Sequence, residues 1–223
     1  SDVCSSDLAI GKKKRCNRGG QNMSERIIIT LGRQFGSGGR EIGKRVAKEL
    51  GIAFYDKELL TRAAKESGIS EELFQSNDEK PTNSLLYSLA MSNFSGEMPL
   101  NHRIFLAQFD VIKKIAKEES CVIVGRCADY ALRDYPNVAN VFVHADMEYR
   151  LDRAINLYGL PEKSARGIIL RTDKQRANYY NFYTNKKWGS VDSYDFAIDS
   201  GSVGVDNTVA LIKDFALIRA GRK

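Results

Sequence analysis

The sequence predicts an α/β protein in three layers: a central, mostly parallel sheet with helices packed on both faces. Three observations lead there. Apolar runs recur at 27–31, 121–125 and 139–145, and each is too continuous to leave one face in water. Between them lie stretches whose apolar residues fall at helical spacing. The alternation of the two is the pattern of parallel strands joined by crossover helices. With 223 residues, 43% hydrophobic and 28% charged, the chain has the length and composition of one sizeable globular domain with room for subdomains.

Taken in order, the β-branched run at 27–31 opens the sheet. Residues 41–50 carry Ile42, Val46, Ala47 and Leu50 at helical spacing, and Gly51 is placed to end that helix. "IAFYD" reads as a second strand ending in Asp56, and 57–74 as a helix with Leu59, Leu60, Ala63 and Ala64 on one face. Residues 76–101 are rich in Ser, Asn, Gly and Pro and predict an irregular insertion. Helical period returns over 103–117, followed by the strands "CVIVG" and "ANVFVHA". A mainly helical stretch dense in Arg, Lys and Tyr covers 147–183. "YDFAIDS" is a last strand, and "VDNTVALIKDFALIRA" a closing helix. The chain contains no internal repeat.

The first 22 residues stand apart, without periodicity and nearly without apolar content. A basic nucleic-acid-binding tail is one reading of Lys12, Lys13, Lys14, Arg15 and Arg18. The favoured reading is a non-native leader. "SDVCSSDL" resembles the translation of a sequencing adapter, and "RGGQNM" back-translates to a ribosome-binding stretch ahead of a start codon. The expected natural start is Met23, with 23–223 a single domain. Five basic and two acidic residues of the leader supply +3 of the +6 formal charge. The remaining +3 suits a protein that handles small anions and does not call for nucleic acid. Beyond the leader, Cys121 and Cys127 are too few and too close for a disulfide framework or a zinc site. No apolar run approaches a membrane span, so a cytoplasmic protein with no membrane partner is expected. Nothing in the sequence favours one oligomeric state.

Three segments carry candidate chemistry. "FGSGGRE" lies between a strand and a helix, where glycines let the backbone aim N–H groups at an anion and the helix dipole adds to the hold. The usual phosphate loop ends Gly-Lys-Ser/Thr. Here Gly38 takes the last glycine position, Gly39 the lysine position and Arg40 the hydroxyl position. Arg33, Arg40 and Lys44 supply nearby positive charge. The second segment, "VIVGRCADY", ends a strand in Gly125-Arg126, with Asp129 close behind. Ligands in open α/β sheets bind beyond the carboxyl ends of strands, and the planar fork of an arginine suits phosphate. The third is the helical stretch holding Arg150, Arg153, Arg171, Lys174 and Arg176. Arg150 and Arg153 share a face at i,i+3, and Asp173 is a candidate to orient the cations. Together they suggest a lid that closes over transferring phosphate.

In that order, "IIITLGRQFGSGGREIGKRVAKELGIAFYDKELL", "CVIVGRCADYAL", "VFVHADMEYRLDR", "RTDKQRANYYNFYT" and "YDFAIDSG" closely resemble the cytidylate kinase-like proteins, relatives of bacterial cytidylate kinase among the nucleoside monophosphate kinases. The resemblance covers nearly all of 27–219. It implies a P-loop kinase fold with a helical NMP-binding insertion over about 57–118 and a basic helical lid over about 150–185. It implies ATP and Mg2+ as cofactors and nucleotides as substrates. By this resemblance Asp56 and Arg62 fall at the acceptor site. Gly125, Arg126 and Cys127 match a Gly-Arg-Asp in which the acid is lost, with Asp129 a possible substitute. Arg171, Asp173, Lys174 and Arg176 match part of the basic lid. The absent P-loop lysine and the Cys127 position are departures from the pattern.

The expected function is ATP-dependent phosphoryl transfer to a nucleoside monophosphate, CMP or dCMP being implied. Arg33, Gln34, Gly36, Ser37, Gly38, Gly39 and Arg40 are expected to cradle the donor phosphates, with Ser37 also the candidate for magnesium. Asp56, Arg62, Arg126, Asp129 and Arg171 are assigned to the acceptor. Arg40, Arg150, Arg153, Lys174 and Arg176 are assigned to the transferring group. A nucleotide-binding sensor that has lost transfer, and a kinase of another small metabolite, stand as alternatives.

Overall fold

A computed structural model describes residues 26–79 and 98–221. The leader and most of the irregular stretch at 76–101 lie outside the described residues. Five strands, β1 (Ile28–Arg33), β2 (Ala53–Tyr55), β3 (Cys121–Val124), β4 (Val138–His144) and β5 (Phe196–Asp199), form one sheet in the order β2-β3-β1-β4-β5. Every pairing is parallel. Nine helices accompany them among the described residues: α1 (Gly39–Leu50), α2 (Glu58–Ser67), α3 (Glu71–Ser76), α4 (Leu100–Glu118), α5 (Ala128–Ala131), α6 (Met147–Asn156), α7 (Glu162–Thr184), α8 (Ser200–Val203) and α9 (Val205–Arg219).

The three layers follow from strand alternation. Ile28, Cys121, Ile123 and Val138 point to a core shared with α2, α4 and α5. Ile29, Leu31, Val122, Val141 and Val143 point to the opposite face and pack on Ile42 and Val46 of α1 and Val209, Ile212 and Ala216 of α9. Burial on both faces is why these strands read as largely apolar runs, interrupted by Thr30 of β1 and Asn140 of β4, which are hydrogen-bonded to each other at 2.8 Å. A third, aromatic cluster of Phe105, Cys127, Tyr179 and Tyr180 joins α4 to α7. The tyrosines of 179–183 are therefore largely core residues, Phe105 and Tyr183 being stacked with centroids 3.9 Å apart.

Two differences from the sequence reading have local causes. The single helix expected over 57–74 is two. Gly68, at φ +71°, turns left-handed and caps α2 with its N–H on the Ala64 carbonyl, and α3 begins after Ser70. The helix expected from Arg103 starts at Leu100 directly after Pro99, a residue whose fixed φ and missing N–H suit a helix start.

The site is positioned by β1, which has β3 on one side and β4 on the other. The loops leaving the carboxyl ends of β1 and β3 therefore open side by side, the place where open α/β sheets bind ligands.

Candidate active site

Five residues, 34–38, carry β1 into α1. Gly36, at φ +83°, lies against the backbone of Arg150; a Cβ there would meet the Arg150 carbonyl oxygen at 2.7 Å. Gly38, at φ +78°, is the N-cap of α1 and offers no side-chain cap. The first intrahelical bond runs from Ile42 N–H to the Gly38 carbonyl. The N–H groups of the preceding turn, at Gly39, Arg40 and Glu41, are thus left for a ligand at the positive end of the helix. They border a cleft of about 610 Å3 lined by Arg33, Gln34, Phe35, Gly36, Gly38, Gly39, Arg40, Lys44, Asp56, Asp78, Glu79, Arg126 and Arg176 among others. That volume is in the range of small-molecule sites.

The missing lysine has a steric cause. A Cβ on Gly39 would sit 2.6 Å from Arg33 Cβ and 3.2 Å from its Cγ. The side chain of Arg33 passes over the position where the lysine would stand. Charge near that position comes from the last residue of β1, and Arg40 and Lys44 of α1 add to it along the cleft.

The cations of the cleft are held by carboxylates. Arg126, its side chain almost wholly buried, donates through Nη1 to Asp56 Oδ1 at 3.1 Å and to the Val124 carbonyl at 3.0 Å. Through Nε and Nη2 it grips both oxygens of Asp78, at 3.1 and 2.9 Å. Arg40 donates to the other oxygen of Asp56. Glu79 is shared: Arg33 Nη1 donates to Oε1 at 2.8 Å and Arg176 Nε to Oε2 at 3.2 Å. Gly125, at φ +73°, admits this arrangement, since a Cβ there would collide with Arg33 Nη1 and Glu79 Oε1. Two further ion pairs brace the loop from α6 and α7. Asp173 accepts from Phe35 N–H at 2.7 Å and from Arg150 Nη1 at 2.5 Å, and Arg153 Nη2 donates to Glu41 Oε2 at 2.6 Å. Beneath the loop, the buried Ser200 Oγ lies 2.6 Å from the Ser37 carbonyl and 3.0 Å from that of His144.

The electrostatics follow from burial and pairing. Burial works against the charge of Glu79, yet Arg33, Arg176 and Arg126 outweigh it and hold the carboxyl far below its usual range. Asp56 is lowered by the same balance, burial opposing and Arg126, Arg40 and Arg33 prevailing. Asp78 is raised, because burial there exceeds the help from Arg126 and Glu79 adds repulsion. Burial and the neighbouring Arg33 lower Arg176.

The structure gathers Arg33, Gln34, Gly36, Gly38, Gly39, Arg40, Asp56, Arg126 and Arg176 around one cleft, and sets Arg150 and Arg153 behind the loop. Other expected site residues stand elsewhere. Ser37 is fully buried and its hydroxyl donates to the Gln34 carbonyl at 2.9 Å, turned from the cleft and from any ion in it. Arg62 is spent on Glu66 of α2 and Glu118 at the end of α4. Asp129 is buried, accepts from Tyr180 at 2.6 Å, and lies outside the lining of the main cleft. Arg171 and Lys174 lie on the exposed side of α7 and do not line the cleft. Asp78 and Glu79 escaped the sequence reading because they sit where the polar insertion was expected. The one signal was a pair of acids directly after a helix in a chain with surplus arginine.

Groups implied for this cleft can be tested on these residues. The uncapped α1 turn and the glycines fit phosphate. Magnesium finds no ligand set among the described residues, which contain no group of three or more His, Cys, Asp or Glu able to hold a metal. Any magnesium here would rest mainly on the nucleotide's phosphates and water. No helix of the described residues is long and apolar enough to cross a membrane.

Fold and cleft together define an α/β protein of the P-loop kinase type, its glycine loop opening on an arginine-lined cleft. The family model described as the cytidylate kinase-like family matches residues 28–202, and the chain belongs to that family. An uncharacterized protein from Eubacterium ventriosum, known as a crystal structure, is 34% identical, with 86% of this chain and 98% of that chain covered and a TM-score of 0.66. Shikimate kinase from Bacteroides thetaiotaomicron shares the fold at 15% identity, with 84% and 97% covered and a TM-score of 0.51. No curated protein matches the chain. Family and fold support phosphoryl transfer as its general chemistry.

Proposed function

We propose that the chain transfers the γ-phosphoryl group of ATP to a nucleoside monophosphate, CMP or dCMP being the first acceptors to test. The observation that carries this is the uncapped first turn of α1, facing a cleft lined by Arg33, Arg40, Lys44, Arg126 and Arg176. Bound MgATP supplies the phosphoryl group and the metal charge that offsets its oxygens. The backbone N–H groups of Gly39, Arg40 and Glu41 bind donor phosphate oxygens. Arg33 and Arg40 take over the neutralising role of the absent lysine. Asp56 and Arg126 orient the acceptor, and Arg150 and Arg153 fix the loop. The region 57–118 serves as the acceptor-binding insertion, and 150–185 as the basic lid through Arg176. No general base is needed, because an acceptor phosphate is already ionised.

A nucleotide-binding sensor without transfer is a second reading, favoured by the pairing of Arg33, Arg126 and Arg176 with internal carboxylates. The deciding experiment follows ADP release by the purified chain with ATP, magnesium and a panel of nucleoside monophosphates and hydroxylated metabolites. Turnover of CMP or dCMP above all others supports the first reading. ATP binding without turnover of any acceptor supports the sensor, and preference for a non-nucleotide acceptor supports a metabolite kinase.

A further inference from the structure

Asp78 and Glu79 lie in the turn after α3, outside any helix or strand, and reach into the cleft. What they do there resembles the work of a ligand. Asp78 offers two oxygens to the Arg126 fork, and Glu79 offers both oxygens to Arg33 and shares Oε2 with Arg176. Bidentate and shared oxygen contacts of this kind are how arginines grip phosphate. The charge agrees: the two carboxylates carry −2, the charge of a phosphate monoester dianion. The backbone is unusual as well, with Glu79 at φ +50° and Arg126 at φ +53°, both in the left-handed region that non-glycine residues seldom occupy.

We propose that Arg33, Arg126 and Arg176 form an oxyanion site whose resident internal ligand is the Asp78–Glu79 pair, so that a phosphate-bearing molecule occupies the site by displacing the pair. This rests on the phosphate-handling reading of the cleft, and not on which acceptor is used. With the pair in place the three arginines stay assembled, two of their three charges offset by the pair and Arg126 also held by Asp56. With the pair released, Arg33 and Arg176 lose their shared carboxylate and Arg126 keeps only Asp56 of its carboxylates, so the three present net positive charge to an incoming dianion. Asp78 and Lys57 also form the wall between the main cleft and a second one of about 430 Å3, lined by Glu58, Leu60, Thr61, Glu71 and Gln75.

The test is calorimetric titration of inorganic pyrophosphate into the full chain and into the Asp78→Asn, Glu79→Gln double variant. Removing an internal competitor raises the fraction of competent sites, and binding should tighten by about fivefold or more. A folded variant with a smaller gain, no gain or a loss overturns the proposal, as does failure of both proteins to bind pyrophosphate. Should the variant not fold, the wild-type chain is read by hydrogen exchange: saturating pyrophosphate should accelerate exchange of the backbone amides of 77–79. Unchanged or slowed exchange with pyrophosphate bound overturns it. The outcomes separate from those of the turnover assay. Tightened binding without turnover leaves this inference standing and removes the kinase reading. Turnover without tightened binding does the reverse.

Discussion

Alanine at Gly39 and alanine at Gly167 should change stability in opposite directions. Both glycines lie in helices, α1 and α7, where Gly→Ala ordinarily gains about 0.5–1 kcal/mol from lower backbone entropy in the unfolded chain. Around Gly167 a Cβ meets nothing within 4 Å, so the gain should appear undiminished. At Gly39 the new Cβ would stand 2.6 Å from Arg33 Cβ. That atom is fixed to β1 and cannot swing aside, so the strand end or the helix start must move. Overpacking of this kind costs about 1–3 kcal/mol, which leaves a net loss of about 0.5–2 kcal/mol. In a chain of this size 1 kcal/mol corresponds to about 2–4 °C in Tm. Thermal unfolding should therefore show Gly39→Ala lower by about 1–8 °C and Gly167→Ala higher by about 1–4 °C. Gly39→Lys carries the same Cβ, so restoring the lysine should also destabilise. A Tm for Gly39→Ala at or above wild type would refute the claim that Arg33 excludes a side chain there.

Arg40→Ala should weaken ATP binding by about tenfold, the scale of one charge-assisted hydrogen bond; unchanged affinity in a titration removes Arg40 from the phosphate-binding set. Asp173→Ala strips an acceptor from the Phe35 N–H and leaves the buried Arg150 without its carboxylate. A loss of about 2–4 kcal/mol is expected in urea unfolding, with Asp173→Asn losing less. Asp129→Asn keeps an oxygen for Tyr180 while removing a carboxyl that burial pushes up. Its ionised form costs stability as pH rises through the raised folded value, so the variant should lose less stability than wild type over that rise. On acidification the cleft should loosen in order. Glu79 and Asp56, held below their ordinary 4.5 and 3.8, contribute stability that is present above those values and lost only as pH falls through the lower folded ones. Asp78, raised above 3.8, should take its proton first. Carboxyl-carbon NMR titration checks the order, and Glu79 protonating before Asp78 would contradict it.

The parts of the fold that show in the sequence are those set by local pattern. β1, β3 and β4 are legible because a strand buried on both faces is apolar over most of its length, and α1 because its glycine cap and apolar stripe are both local. The break at Gly68 was hidden by continuous helical spacing on either side of it. The glycine loop and Arg126 are legible for a similar reason: a loop between strand and helix, and a Gly-Arg at a strand end, are contiguous features. Which arginine faces the cleft is not a local property. Arg62 and Arg176 look alike as letters, yet one reaches Glu118 and the other Glu79, 97 positions away. The pairing of each cation is decided by which carboxylate the tertiary fold brings within hydrogen-bond reach, and no periodicity records that. Ser37 illustrates the same limit, since a hydroxyl in a phosphate loop reads as a ligand until the fold buries it.

The buried hydroxyl of Ser200 has a consequence for how the glycine loop is tethered. A serine carries one hydrogen to donate, and here two carbonyls stand within reach of it, one from the loop and one from the end of β4. Shared between the two, the hydrogen holds each carbonyl less firmly than a donor of its own would. The contact is frustrated by construction: loop and strand compete for a single proton. A pull on the Ser37 peptide would be answered at His144 by the handover of that hydrogen, with no side chain leaving its place.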